Sequence, residues 1–152
     1  MRGAIIYGLI IMLSFCQLAL ASDSDEVVGT WVTQGGESQV DLYKCQNKYC
    51  GKIVWLKNPT YPSDDARGMA GQTKVDRENS EPSLRTRPIL GLVILEALEF
   101  EGNDSWVDGR IYDPKNGKTY SCKMTLENKR LNVRGFIGIS LLGRTAVWSR
   151  KP

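Results

Sequence analysis

The groups in this chain best suited to holding a ligand are arginines. Arg85 and Arg87 flank a threonine just before Pro88, while Arg134 and Arg144 sit beside glycines in Arg134-Gly135 and Gly143-Arg144. The planar guanidinium fork matches a carboxylate or phosphate bidentately, so these four are candidate ligand contacts. The same fork also ties loops to backbone carbonyls or to acids such as Asp76, Glu78 and Asp113, and that structural use is the commoner one. Trp55, Tyr112, Tyr120 and Phe136 are candidate walls of an aromatic cavity. Aromatics at alternating strand positions more often simply fill a core.

The chain contains no histidine, so the commonest general base near neutral pH is absent and serine triads of the usual kind are excluded. Glycoside hydrolysis by two carboxylates remains open, with Asp108 and Asp113 or Glu96 and Glu99 available. Nothing in their spacing marks them as a catalytic pair. No motif asks for a cofactor. A structural zinc site usually takes four ligands, and the three cysteines beyond the expected leader, Cys45, Cys50 and Cys122, in a chain without histidine argue against one. Cys45 and Cys50 end two strand-like runs with four residues between them, the arrangement of a disulfide that staples a hairpin. Cys122 falls in the alternating run Tyr120, Cys122, Met124, Leu126 and reads as a small core residue.

These groups need elements to position them, and the chain first needs a compartment. Residues 1–21 have a basic start, an apolar run from Ala4 to Phe15 and a small-residue ending at Ala19-Leu20-Ala21, which predicts a signal peptide cleaved after Ala21. The run is short of the ~20 residues that span a bilayer, so no stable membrane anchor is expected. Cys16 follows Leu-Ser-Phe, where lipidation wants a small residue, so no lipid is expected either. The formal charge is +3 with both signs interleaved, and loss of Arg2 brings it closer to neutral, leaving no case for nucleic acid. The exported remainder, residues 22–152, is the size of one domain.

From Val27 onward, short alternating runs are broken by turn residues about every ten positions, the pattern of an antiparallel barrel or sandwich. The predicted strands are Val27 to Thr33, Gln39 to Cys45, Gly51 to Lys57, Ile94 to Glu101, Trp106 to Tyr112, Lys118 to Leu126, Arg130 to Phe136 and Arg144 to Arg150. Asp113-Pro114-Lys115-Asn116-Gly117 carries proline and Asn-Gly turn chemistry and should close a hairpin. Residues 58–91 are rich in Pro, Gly, Asp, Ser and Arg, a connection long enough to pack over one barrel end and to hold short helical pieces. Eight antiparallel strands lose their exposed edges most simply by closing. A barrel that size is either filled by its own side chains or holds one small ligand.

Gly29-Thr30-Trp31 resembles the Gly-x-Trp opening of lipocalin-like barrels, and the chain closes on Trp148-Ser149-Arg150. That resemblance implies that Gly29 and Trp31 close the barrel floor, with Arg150 stacked across the tryptophan. A longer resemblance covers nearly all of the exported part. Gly29-Thr30-Trp31, Cys45 to Cys50 with Gly51 to Leu56, Leu84 to Gly91, Gly109 to Pro114, Gly117 to Tyr120, and Val133 to Gly138 leading into Leu142 to Thr145 are similar to a bacterial exported family known as domain of unknown function 2147. The resemblance implies an all-β, eight-stranded, antiparallel lipocalin-like barrel in the periplasm, and no established activity.

The leading expectation is therefore a periplasmic small-ligand-binding barrel, its ligand a small apolar or anionic molecule and the 58–91 connection its lid. Two other readings stay open. One is a filled barrel acting through its surface as an inhibitor or as a module that meets an envelope protein partner. The other is a hydrolase.

Overall fold

The computed structural model describes residues 23–152, so the expected leader, 1–21, lies outside the described residues. Eight strands follow one another: β1 Gly29–Val32, β2 Ser38–Cys45, β3 Lys48–Leu56, β4 Val93–Gly102, β5 Ser105–Asp113, β6 Lys118–Glu127, β7 Arg130–Phe136 and β8 Arg144–Arg150. Each pairs antiparallel with its chain neighbour, and β8 pairs back to β1, closing the sheet. The expected eight-stranded barrel is present, with its strand boundaries shifted by one residue at several places and by more at the starts of β1 and β3. Val27 belongs to a 3₁₀ turn, Ser24–Val27, which delays β1 to Gly29. β3 begins at Lys48 because Gln46 takes a left-handed φ of 57° in a two-residue hairpin turn, with Cys45 opposite Lys48. The Cys45–Cys50 disulfide, with Cα atoms 5.8 Å apart, clips that hairpin.

Bulges curl the sheet and reset which face each residue shows. Val40 pairs with Ile53 but Gln39 pairs with Trp55, which leaves Val54 as an extra residue on β3. Ala97 on β4 and Asp108 on β5 hold positive φ values of 62° and 57°, where the ladders to β3 and β6 each skip a residue.

Inside, the two halves of the barrel differ. One half is packed solid by Trp31, Leu42, Leu95, Leu98, Trp106 and Met124, each almost completely buried. The Ser24–Val27 turn plugs this end: Trp31 Nε1 donates to Val27 O at 2.8 Å and Trp106 Nε1 to Ser24 O at 3.3 Å. Arg150 lies 4.3 Å above the Trp31 ring and donates to the carbonyls of Val28 and Glu26. Gly29, at φ 123°, is what admits it, since a Cβ there would stand 2.9 Å from the Arg150 guanidinium. Asp25 accepts from Lys44 and from the Tyr49 hydroxyl at 2.6 Å. The Lys44 ammonium first, and Tyr49 second, hold its carboxyl below the usual range.

The other end carries the β1–β2 connection, the 57–92 connection, the β5–β6 turn and the β7–β8 loop. The 57–92 segment has its own order. Bridges Thr60↔Thr73 and Val75↔Pro88 fold it back on itself, and a 3₁₀ turn, Pro82–Leu84, lies within it. Buried Tyr61 bonds through its hydroxyl to Val75, and Arg77 stacks 4.1 Å over its ring while pairing with Asp65 at 2.8 Å.

Candidate functional site

Strand periodicity turns β8 into a depth gauge. Alternate residues Arg144, Ala146, Trp148 and Arg150 run from the unplugged end, through the interior, to the plug. Trp148 is buried and Ala146 half-buried, and above them the packing stops. A cavity of about 1400 Å³ occupies the upper half of the barrel and its mouth. Its lower wall is apolar, formed by Ile53, Leu56, Ile94, Ile111, Val133 and Trp148. Its upper wall is polar and mixed in charge.

The charges there are not equivalent. Glu37 pairs with Lys57, Glu78 with Arg67 and Arg77, and Asp113 accepts from Lys115 N and Asn116 Nδ2 within the β5–β6 turn. Every acid on the wall is thus already engaged. Lys74, Lys115 and Arg144 also line the cavity, and among the described residues their side chains have neither an acidic partner nor a hydrogen bond. The upper cavity therefore presents uncommitted positive charge above an apolar floor.

Of the residues singled out from sequence, Tyr112, Tyr120, Phe136 and Arg144 line the cavity. The other four do not. Trp55 is 42% exposed on the outer surface, because the extra Val54 shifts the alternation and turns Leu56 inward in its place. Arg134 is spent on the β7–β8 loop, donating to Ser140 O, Leu141 O and Thr145 Oγ1. Arg85 donates to Asn79 O at 2.7 Å inside the long connection. Arg87 reaches Asp76 with Nε and Nη2, both at 2.9 Å, beside a separate outer cleft of about 650 Å³.

Asp76 is the hub of that last group. It is completely buried, and besides Arg87 it accepts from the Tyr112 hydroxyl at 2.6 Å and Asn79 Nδ2 at 2.8 Å. A buried carboxylate demands this many donors. The cluster latches the long connection to β5. Burial first, and the bond to Asp76 second, push the Tyr112 phenol up to about 12. The β5–β6 turn adds a second seat: at Gly117, φ 70°, a Cβ would stand 1.9 Å from Glu78 O.

The carboxylates considered for hydrolysis each have their own surroundings. Glu96 pairs with Arg110 and Glu99 with Lys48. Asp108 is exposed at its bulge, away from the Asp113 turn. Cys122 is buried in the packed half, and burial pushes its thiol up to about 12.

Sequence reasoning missed Lys74 and Lys115. Lys74 lies in the non-periodic connection, where no pattern reports facing. Lys115 sits in a turn whose proline and Asn-Gly announce its shape but not what it overlooks.

The profile of a bacterial protein family, described as uncharacterized protein conserved in bacteria (DUF2147), matches residues 29–150. Among solved structures the chain is similar to one titled "Protein HP1028 from the human pathogen Helicobacter pylori belongs to the lipocalin family". The two share 24% identity over 84% of this chain and 84% of that chain, with a TM-score of 0.69. Likeness at that identity concerns the fold. No curated protein of known role matches the chain.

Proposed function

We propose, for a chain that belongs to the bacterial family DUF2147, that it is an exported, periplasmic carrier of a small molecule with an apolar body and an anionic end. The half-empty barrel carries this reading. Its apolar floor would take the body of the ligand, and Lys74, Lys115 and Arg144 would meet the charge. A pocket for a drug-sized ligand is roughly 300–1000 Å³, so this cavity has room for such a molecule without rearrangement of the packed half. The lipocalin-like fold, whose small barrels hold single ligands, agrees with it. Export is supported by the leader-like start and by the Cys45–Cys50 disulfide, which persists in oxidising compartments. The latched 57–92 connection would serve as a wall of the site.

The test uses 8-anilinonaphthalene-1-sulfonate, an aromatic probe with a single sulfonate, and follows its fluorescence. Wild type should bind it saturably, and a Lys115→Glu, Arg144→Glu double variant should bind about tenfold more weakly, a difference of roughly 1.4 kcal/mol. Arg85→Ala, which changes a residue outside the cavity, should leave the dissociation constant unchanged. Equal affinity in wild type and the double variant would overturn the reading.

A further inference from the structure

The loop between β7 and β8 is the most exposed apolar feature among the described residues. Ile137, Ile139, Leu141 and Leu142 are 70%, 61%, 82% and 76% exposed, whereas the remaining large exposed hydrophobics lie between 37% and 49%. Single exposed leucines need no explanation, but four within six residues form a patch that water disfavours.

The patch has a fixed shape. Arg134 holds the carbonyls of Ser140 and Leu141 from beneath, and a 3₁₀ turn, Ser140–Leu142, sets the tip. Leu142 N donates to Ile139 O, and Gly143 N to Ser140 O. These bonds fix the shape of the tip, and Ile139 and Leu141 stand out from it into solvent. Lipid hydrocarbon would take such side chains out of water.

The charge around the patch fits the same occupant. No Asp or Glu occurs anywhere from Asn128 to Pro152. Arg144 at the foot of the loop, with Lys115 and Lys118 at the neighbouring β5–β6 turn, have side chains without acidic partners among the described residues. Apolar side chains beside these cations, with Asp113 on the same turn taken up by Lys115 N and Asn116 Nδ2, are the pattern that sinks shallowly into a bilayer containing anionic lipids.

We propose that the β7–β8 loop is a docking foot that seats on an anionic phospholipid bilayer. Ile139 and Leu141 enter the headgroup boundary, and Arg144, Lys115 and Lys118 meet lipid phosphates. Ile137, Leu142 and Gly143 also line the cavity mouth, so seating the foot turns the mouth toward the membrane. The docking stands on the loop itself and does not require the ligand reading to hold.

The experiment is vesicle flotation with protein expressed from Ser22 onward, which includes all eight strands and the whole described core. Vesicles of phosphatidylcholine alone are compared with vesicles of phosphatidylcholine and phosphatidylglycerol at a 7:3 ratio. Wild type should partition at least tenfold more strongly onto the anionic vesicles, and rising salt should weaken that binding. An Ile139→Ser, Leu141→Ser variant, changed at two positions off the cavity wall, should lose at least tenfold in partitioning. Its melting temperature and 8-anilinonaphthalene-1-sulfonate affinity should stay at wild-type values, which separates failure of docking from failure of ligand binding. Absence of wild-type binding to either vesicle would overturn the proposal, as would equal partitioning of the variant. So would vesicle-free self-association or a stoichiometric protein partner that the same two substitutions abolish.

Discussion

The two ends of this barrel are built from the same closed sheet and do opposite things with it. At the plugged end, Trp31 and Trp106 are fully buried, each indole nitrogen has a carbonyl, and Arg150 seals the underside. At the other end the strands enclose a cavity of about 1400 Å³, with cations left uncommitted and apolar side chains left in water. Closure rests on the ladders between strands, although β8 meets β1 only at Trp31–Arg150 and Val32–Ser149, and Val147 N is met by the Gln34 side chain above them. Because these bonds do not depend on what fills the core, half of the interior can remain unfilled. The packed half supplies stability, which leaves the open half free to be shaped for binding.

The sharpest way to break this contrast is a matched pair of truncations. Trp31→Ala should lower stability by about 3–5 kcal/mol, as expected for a large buried aromatic, with 8-anilinonaphthalene-1-sulfonate affinity little changed in the folded fraction. Phe136→Ala, half-buried at the cavity, should cost about 1 kcal/mol or less and should alter probe affinity instead. Urea unfolding and a fluorescence titration read both. Equal stability losses would mean that the two halves are equally packed.

Next in size is the latch between the ends. Arg87→Ala leaves the fully buried Asp76 carboxylate with only Tyr112 and Asn79. The loss should be about 3 kcal/mol, the lower end for a broken buried pair, because the guanidinium itself is 38% exposed. Hydrogen exchange should rise most at the Asp76, Asn79 and Ile89 amides, whose bonds fold the connection. Exchange that rises evenly over all eight strands would show that the latch belongs to the global fold rather than to the 57–92 connection.

The smallest effect is a titration. With its pKa raised to about 12, the Tyr112 phenol is favoured in its neutral form by the fold. Its contribution to stability is then complete below the ordinary tyrosine pKa of about 10. It disappears as pH rises through about 12. Tyr49 is also raised, by burial first and its bond to Asp25 second, so absorbance at 295 nm should show one fewer late-titrating tyrosine in Tyr112→Phe than in wild type. A wild-type tyrosine at this position ionising near 10 would mean that the Asp76 cluster is open in solution.

The barrel was legible in the sequence because period-two alternation and turn chemistry are local signals, and the family was legible through the resemblance of its ordered motifs from Gly29-Thr30-Trp31 to Leu142-Gly143-Arg144-Thr145. The Cys45–Cys50 clip was equally legible, since four intervening residues restrict its geometry. The site was legible in part. Tyr120 and Arg144 share the inward parity of Ile111 and Gly135, where alternation reports the facing, whereas Tyr112 and Phe136 have the opposite parity and line the cavity from the strand ends at its mouth. Trp55 misled because one extra residue, Val54, reverses that alternation, and a bulge has no reliable signature in a single sequence.

What the sequence alone determined was everything that repeats along a strand: eight antiparallel elements, their connections, and which residues could seal an end. The tertiary structure decided how each charge is spent. Arg85, Arg87 and Arg134 are drawn to Asn79, Asp76 and the β7–β8 carbonyls, while Lys74, Lys115 and Arg144 are left to face the cavity. Those partners lie up to eleven residues away and across chain reversals, and a guanidinium has the same local sequence appearance whether its forks are filled or free. Only the closed barrel, by bringing the acids and carbonyls to some cations and not to others, makes that distinction.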